Sequence, residues 1–132
     1  MERAVSGKIY KAGTCFVKLS ASDEFVGQIR EPGEIESRYA ALEPKDSVNG
    51  AYLHIAVSRA FPGFLRRYRT TINLQFDTLE HFFVDWHDDK DAQDYIVSTV
   101  GMVGREIREI EKQIECEKEM KRWYLRKMFP DQ

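Results

Sequence analysis

From about Asp77 to Phe129 almost every residue fits a helix, and one apolar stripe runs along it. Ile96, Val100, Val103, Ile107, Ile110 and Ile114 recur at spacings of four and three. That period draws a single apolar line down a helix, and such a line has to be covered by something. It also fits the seam of a coiled coil, where apolar residues repeat every three and a half positions. A helix near 38 residues is about 57 Å long at 1.5 Å per residue, whereas the strands of a small sheet extend only about 20 Å. Part of a straight helix therefore overhangs a sheet of its own chain. The overhanging turns carry Trp123, Tyr124, Leu125, Met128 and Phe129, and apolar density of that kind in water marks an interface. The expected self-association residues are Ile107, Ile110, Ile114, Trp123, Tyr124 and Met128, with Ile96 to Ile110 best placed to cover the sheet.

The stretch before Asp77 reads as strands. Cys15, Val17 and Leu19 alternate with Phe16 and Lys18, and Phe25 to Ile29 can form a second strand. Glu31-Pro32-Gly33 breaks the run. Residues 34–50 fit a short helix or strand and loop, with a turn-rich segment from Pro44 to Gly50. Leu53, Ile55 and Val57 share a face if 52–57 is a strand, and Phe61-Pro62-Gly63 then reads as a turn. Residues 67–76 alternate most clearly: Tyr68, Thr70, Ile72, Leu74 and Phe76 oppose Arg67, Arg69, Thr71, Asn73 and Gln75. Asp77 followed by Glu80 resembles a capping box and predicts a short helix over 78–87. HDDKDAQD follows as a polar joint, and the long helix runs from about Asp91 to Phe129, with Gly101 and Gly104 as sites of close approach or bending. The expected fold is α+β: an antiparallel sheet of about five strands, a short helix and one long C-terminal helix. Residues 1–132 read as one domain, with 1–76 mainly sheet and 77–129 helical.

Charge is unevenly divided. Residues 1–76 carry 11 Lys/Arg against 8 Asp/Glu, and residues 77–132 carry 9 against 14. The mildly basic first half hints at anion binding. Cys15 and Cys116 have neither metal-site spacing nor a disulfide framework, and read as free thiols in a reducing compartment. MERAVSGKIY has no long apolar run, so no signal peptide is expected, and no stretch reaches membrane-span length. The cytoplasm is the expected compartment, a host cytoplasm for a virus or phage protein.

Four groups of residues invite a chemical reading. Arg66, Arg67 and Arg69 with Tyr68, Phe61 and Phe64 place guanidinium forks beside aromatic rings, suited to phosphates and stacked bases. The same residues also fit a solvated strand face, and no Gly-rich phosphate loop accompanies them. His81 and Asp85 stand four apart, with His87, Asp88, Asp89, Asp91 and Asp94 following; these could ligate a metal or simply solvate a joint between helices. Cys15 and His54 could meet across the sheet, but no nucleophile motif surrounds them. The helix stripe is the fourth group.

The leading expectation is a non-enzymatic homo-oligomer. It would hold a phosphate-bearing ligand, a nucleotide or single-stranded nucleic acid, at Arg66, Arg67, Arg69, Tyr68, Phe61 and Phe64. No catalytic residue, metal or cofactor is expected. The alternative is an interaction module, an inhibitor or adaptor that docks on a larger protein through Asp85–Asp94 or the aromatic C-terminal helix. A metal-dependent hydrolase using His81 and His87 ranks last, because no ligand or triad spacing is convincing.

Overall fold

The computed structural model describes residues 1–19, 24–68 and 76–129. The chain is α+β. Four strands, β1 (Glu2–Arg3), β2 (Cys15–Lys18), β3 (Val26–Gln28) and β4 (Tyr39–Leu42), form an antiparallel sheet in the order β1-β4-β2-β3. Helix α1 (Gly50–Tyr68), a 3₁₀ helix (Phe76–His81) and helix α2 (Lys90–Met128) follow. The described residues thus hold four strands rather than about five. They fall into two compact units, Met1–Val97 and Ser98–Gln132. No helix among them is long and apolar enough to cross a membrane.

In the first unit, the alternation along β2 sorts side chains between two faces. Cys15 and Val17 join Val26 and Ala40 against Leu53, Val57, Phe61, Phe64 and Leu65 of α1 and Leu79 of the 3₁₀ helix. On the opposite face Phe16, Tyr39 and Ala41 pack with Ala4, Tyr10 and Ile35 from the flanking segments. Both faces of the sheet are thus covered even though its strands are short. Gln28 ties the sheet to α1 by donating through Nε2 to the carbonyls of Gly13 (2.9 Å) and Gly50 (2.7 Å). Gly13 holds a φ of +91°, a conformation that a side chain would strain.

The segment 50–68 departs from expectation. Leu53, Ile55 and Val57 suggest a strand, and Phe61-Pro62-Gly63 a turn, yet all lie in one 19-residue helix. Leu53, Val57, Phe61 and Leu65 are each four apart, which satisfies a helical stripe better than a strand alternation satisfies the whole segment. Asn49 supplies the start: its Oδ1 accepts from the N–H groups of Ala51 (3.0 Å) and Tyr52 (3.3 Å), as an N-cap does. Pro62 sits inside the helix. It removes one backbone donor at a local cost of about 3 kcal/mol, which the burial of neighbouring Phe61, Phe64 and Leu65 offsets at roughly 1.5–3 kcal/mol per large side chain.

The expected strand 67–76 is not met at its start, where Arg67 and Tyr68 complete α1; residues 69–75 lie outside the described residues. The short helix expected over 78–87 is a 3₁₀ helix, Phe76–His81, which begins two residues earlier and gives way to an irregular stretch to Asp89. Residues 39–42 resolve the ambiguity of 34–50 in favour of a strand. The long helix stands as predicted, and it runs through Gly101 and Gly104 as one 39-residue element.

Phe16 lies directly opposite Gly27 across β2 and β3. A Cβ built on Gly27 would fall 2.1 Å from the Phe16 ring, so the ring occupies the space that a side chain would need. Gly27→Ala is expected to destabilise the first unit by about 1–3 kcal/mol through overpacking, read as a shift of the urea midpoint at fixed protein concentration. Combining it with Phe16→Ala should cost less than the sum of the two single changes; additivity would argue against the ring as the cause.

Candidate functional site

The expected Arg–aromatic cluster is divided by α1. Phe61 is fully buried and Phe64 is 7% exposed. Both belong to the core, which leaves Phe61 no face for a ligand. Arg66 and Arg67 are exposed in the last turn of α1, where cations complement the negative end of the helix dipole. Arg69 lies outside the described residues. Tyr68 is half-buried and stacks on His81, with ring centroids 5.5 Å apart and planes at 8°; Phe64 stacks on Phe82 at 5.0 Å. Beside this column is a cleft of about 420 Å³ bordered by Arg67, Tyr68, His81, Phe82 and Phe83. Among the described residues no carboxylate pairs with Arg66 or Arg67. The nearest backbone pole, however, is a helix C-terminus, which repels anions. A phosphate here would depend on the guanidiniums alone.

The histidine–acid segment is a structural latch. Tyr52, 2% exposed, accepts a hydrogen bond at Oη from the backbone N–H of His87 (2.9 Å). The same hydroxyl shares a second hydrogen bond with His87 Nδ1, 2.7 Å away. Trp86 packs edge-on against the Tyr52 ring at 4.8 Å. Gln93, 2% exposed, donates to the His87 carbonyl (2.6 Å) and accepts at Oε1 from the Asn49 N–H (3.3 Å). Asn49 Nδ2 donates to Asp94 Oδ1 at 2.7 Å. Asp89 caps α2, its Oδ1 accepting from the Asp91 N–H at 3.2 Å, and Asp85 pairs with Arg59 at 3.2 Å. Much of the acidic segment is therefore engaged within the first unit. His81 stacks on Tyr68 while His87 is held by Tyr52, and no group of three His, Cys, Asp or Glu that could hold a metal occurs among the described residues. The metal-hydrolase alternative finds no ligand set there.

Cys15 Sγ is engaged by the Gly13 carbonyl (3.9 Å) and Gln28 Nε2 (3.8 Å), and His54 by the Val26 carbonyl. His54 Nε2 lies 2.8 Å from the Val26 carbonyl, which can only accept, so this nitrogen carries the proton. Burial pushes the Cys15 thiol up to about 12, against a smaller opposing effect of its hydrogen bond with Gln28. A thiol held protonated at neutral pH is a poor nucleophile. Cys116, on α2, is exposed.

In the second unit the residues expected at an interface are all uncovered. Ile107, Ile110, Ile114, Trp123 and Tyr124 are 50–54% exposed and Met128 70%. No described residue from Ser98 to Phe129 is buried. Trp123 contacts Tyr124 edge-on at 5.0 Å and lies under Lys127, whose Nζ is 5.4 Å from the ring centre. Val100, Val103, Ile107, Ile110 and Ile114 alternate as a and d positions of successive heptads. Glu117 and Lys121 take the next d and a places, and Tyr124 and Met128 the two after them. Sequence reasoning found this stripe. It missed the Tyr52–His87–Gln93–Asn49 network, whose only local signals are an N-cap asparagine and a glutamine in line with an apolar stripe.

Comparison with family models, curated proteins and solved structures finds no match.

Removing the Tyr52 hydroxyl tests the latch. Tyr52→Phe leaves the buried side of His87 N–H without an acceptor and should cost about 1–3 kcal/mol. Amide exchange at His87 and Gln93 should accelerate. Unchanged protection at both would show that the hydroxyl does not hold the joint.

Proposed function

We propose that this protein is a self-assembling binding module, in which the Ser98–Phe129 helix joins copies of the chain and the sheet unit is the part so displayed. The observation that supports this reading is the uncovered a/d stripe of α2. In proteins most helical stability comes from packing an amphipathic face against something else, and favourable surface charge pairs add to it. Surface charge adds little here. At a spacing of four, like charges meet at Arg108–Lys112, Glu111–Glu115, Glu115–Glu119, Lys118–Arg122 and Arg122–Arg126 and opposite charges at Arg105–Glu109 and Glu117–Lys121, while at a spacing of three opposite charges meet at Arg108–Glu111, Glu109–Lys112, Lys112–Glu115, Glu115–Lys118 and Glu119–Arg122 and like charges at Arg105–Arg108, Glu106–Glu109 and Lys118–Lys121, so the two kinds come close to cancelling. Each like pair costs a few tenths of a kcal/mol, about what an opposite pair returns. Gly101 and Gly104 subtract about 1 kcal/mol each relative to alanine. Coverage of the stripe is the remaining source of stability. A second copy offers a matching stripe, since knobs at a and d fit holes made by the same residues on an identical helix.

Light scattering on gel-filtered protein tests the reading. The expected mass is a whole multiple, above one, of 15.4 kDa. The double change Ile107→Asp with Ile114→Asp should yield a single-chain particle that loses much of its helical circular dichroism while the sheet unit stays folded. A wild-type particle of one chain would overturn the proposal, as would a double variant that assembles unchanged.

A second reading, an anionic ligand bound by the sheet unit, is favoured by Arg67, exposed at the edge of the aromatic cleft and paired with no carboxylate among the described residues. Calorimetric titration with a nucleoside triphosphate and with a single-stranded oligonucleotide is its test. Binding should weaken at least tenfold in Arg67→Ala, and for the oligonucleotide should fall steeply with salt. No heat with either ligand would remove this reading and leave assembly untouched.

A further inference from the structure

We infer that the α2 seam assembles three chains in parallel; the inference rests on the self-assembly proposed above and adds its number and direction. The strand number follows from side-chain shape. In parallel coiled coils β-branched residues at a with Leu at d favour two strands, whereas β-branched residues at both positions favour three or four. Here a is Val100, Ile107 and Ile114, and d is Val103 and Ile110. None is leucine. A four-stranded bundle widens the buried face to e and g. Over the apolar heptads those places hold Glu106, Glu111, Gln113 and Lys118, which a three-stranded bundle leaves at its wet rim. Burying unpaired charge costs far more than the extra strand would return. Three strands satisfy both sets of residues.

Direction follows from what each alignment puts in register. In parallel, Val100, Val103, Ile107, Ile110 and Ile114 form five successive apolar layers. Met120 at g then meets Leu125 at e of the neighbouring chain, and Tyr124 and Met128 meet their own copies. Glu117 and Lys121, in adjacent layers, carry opposite charges within reach of one another between chains, a polar contact that sets register. An antiparallel alignment that keeps isoleucine on isoleucine places Ile107 opposite Ile110. It also sets Glu117 against Val100, Lys121 against Ile96, and Tyr124 against Gln93, which is already buried in the latch. Sliding the antiparallel pair to match Glu106 with Lys127 sets Ile110 against Lys121 and Ile114 against Glu117. Exposed ion pairs return about 0.2–1 kcal/mol each, less than the roughly 1.5–3 kcal/mol of burying one isoleucine fully. Parallel repulsion between Glu106 and Glu111 of neighbouring chains is of the same small size as those pairs. The apolar layers decide the direction.

Native mass spectrometry with a disulfide probe tests the inference on the full chain. The wild type is expected as a particle of three 15.4-kDa chains. Tyr124→Cys in a Cys116→Ser background should give interchain disulfides on mild oxidation, because parallel helices bring residue 124 of each chain together. Both antiparallel alignments hold these residues at least about 25 Å apart at 1.5 Å per residue. Val103→Leu with Ile110→Leu should shift the particle from three chains to two. A wild-type particle of two or four chains overturns the strand number and leaves self-assembly standing. Three chains without the 124–124 disulfide overturn the direction. A one-chain particle overturns the inference together with the reading it rests on.

Discussion

Asn49 is the residue on which the order of the first unit turns. Its side-chain oxygen caps α1, its backbone N–H holds Gln93, and its amide nitrogen holds Asp94. One side chain thus starts one helix and fastens the first turn of another. Gln93 passes the constraint to the His87 carbonyl, and Tyr52 completes it from the opposite side of the same joint. Tyr52 and Gln93 are buried and Asn49 is half-buried, so the bonds these side chains make also avoid the cost of an unpaired polar group, whereas Asp94 and His87 lie at the surface. Among the described residues no buried side-chain nitrogen or oxygen lacks a partner. The start of α1 and the first residues of α2 are thus fastened to each other by one short polar circuit.

The two units solve the burial problem differently. The first covers both faces of a small sheet, one with a helix and one with its own flanking segments. The second is a helix whose stripe has an apolar period but no cover. Such a stripe gains stability in water from being covered, and the proposed copies would cover it by the same physics that seats α1 on the sheet. In the proposed assembly the charged rim at e and g would limit how many copies can join.

How much of this was legible depended on the range over which each signal acts. Strands β2 and β3 and helix α2 were readable because their periods are local and unmixed: Cys15 and Val17 against Phe16 and Lys18, and the threes and fours from Ile96 to Ile114. Helix α1 was misread because Leu53 and Val57 fit a period of two as well as 3.6, and because Pro62-Gly63 looks like punctuation. Asn49 and the four-residue spacing to Phe61 and Leu65 carried the right answer. The Arg–aromatic cluster failed as drawn for the same reason. On a strand Phe61 and Phe64 could precede a ligand-facing row, but on a helix they turn into the core and separate from Arg66 and Arg67. The latch was out of reach, since Tyr52 and His87 lie 35 residues apart and no local pattern joins them.

Gly101 and Gly104 bear on the order in which the second unit forms. Flexible glycines next to β-branched Val100 and Val103 make the first turns after Ser98 the poorest place to start a helix. The stretch beyond Ile107 has no glycine and holds most of the good helix formers. In the proposed assembly, chains would therefore meet first toward their C-terminal ends and close toward the sheet units afterwards. The first units would remain free to move relative to one another until the last two turns zip. In that assembly the glycines would act as a delay, separating the moment of recognition between copies from the moment at which what they carry is brought into register.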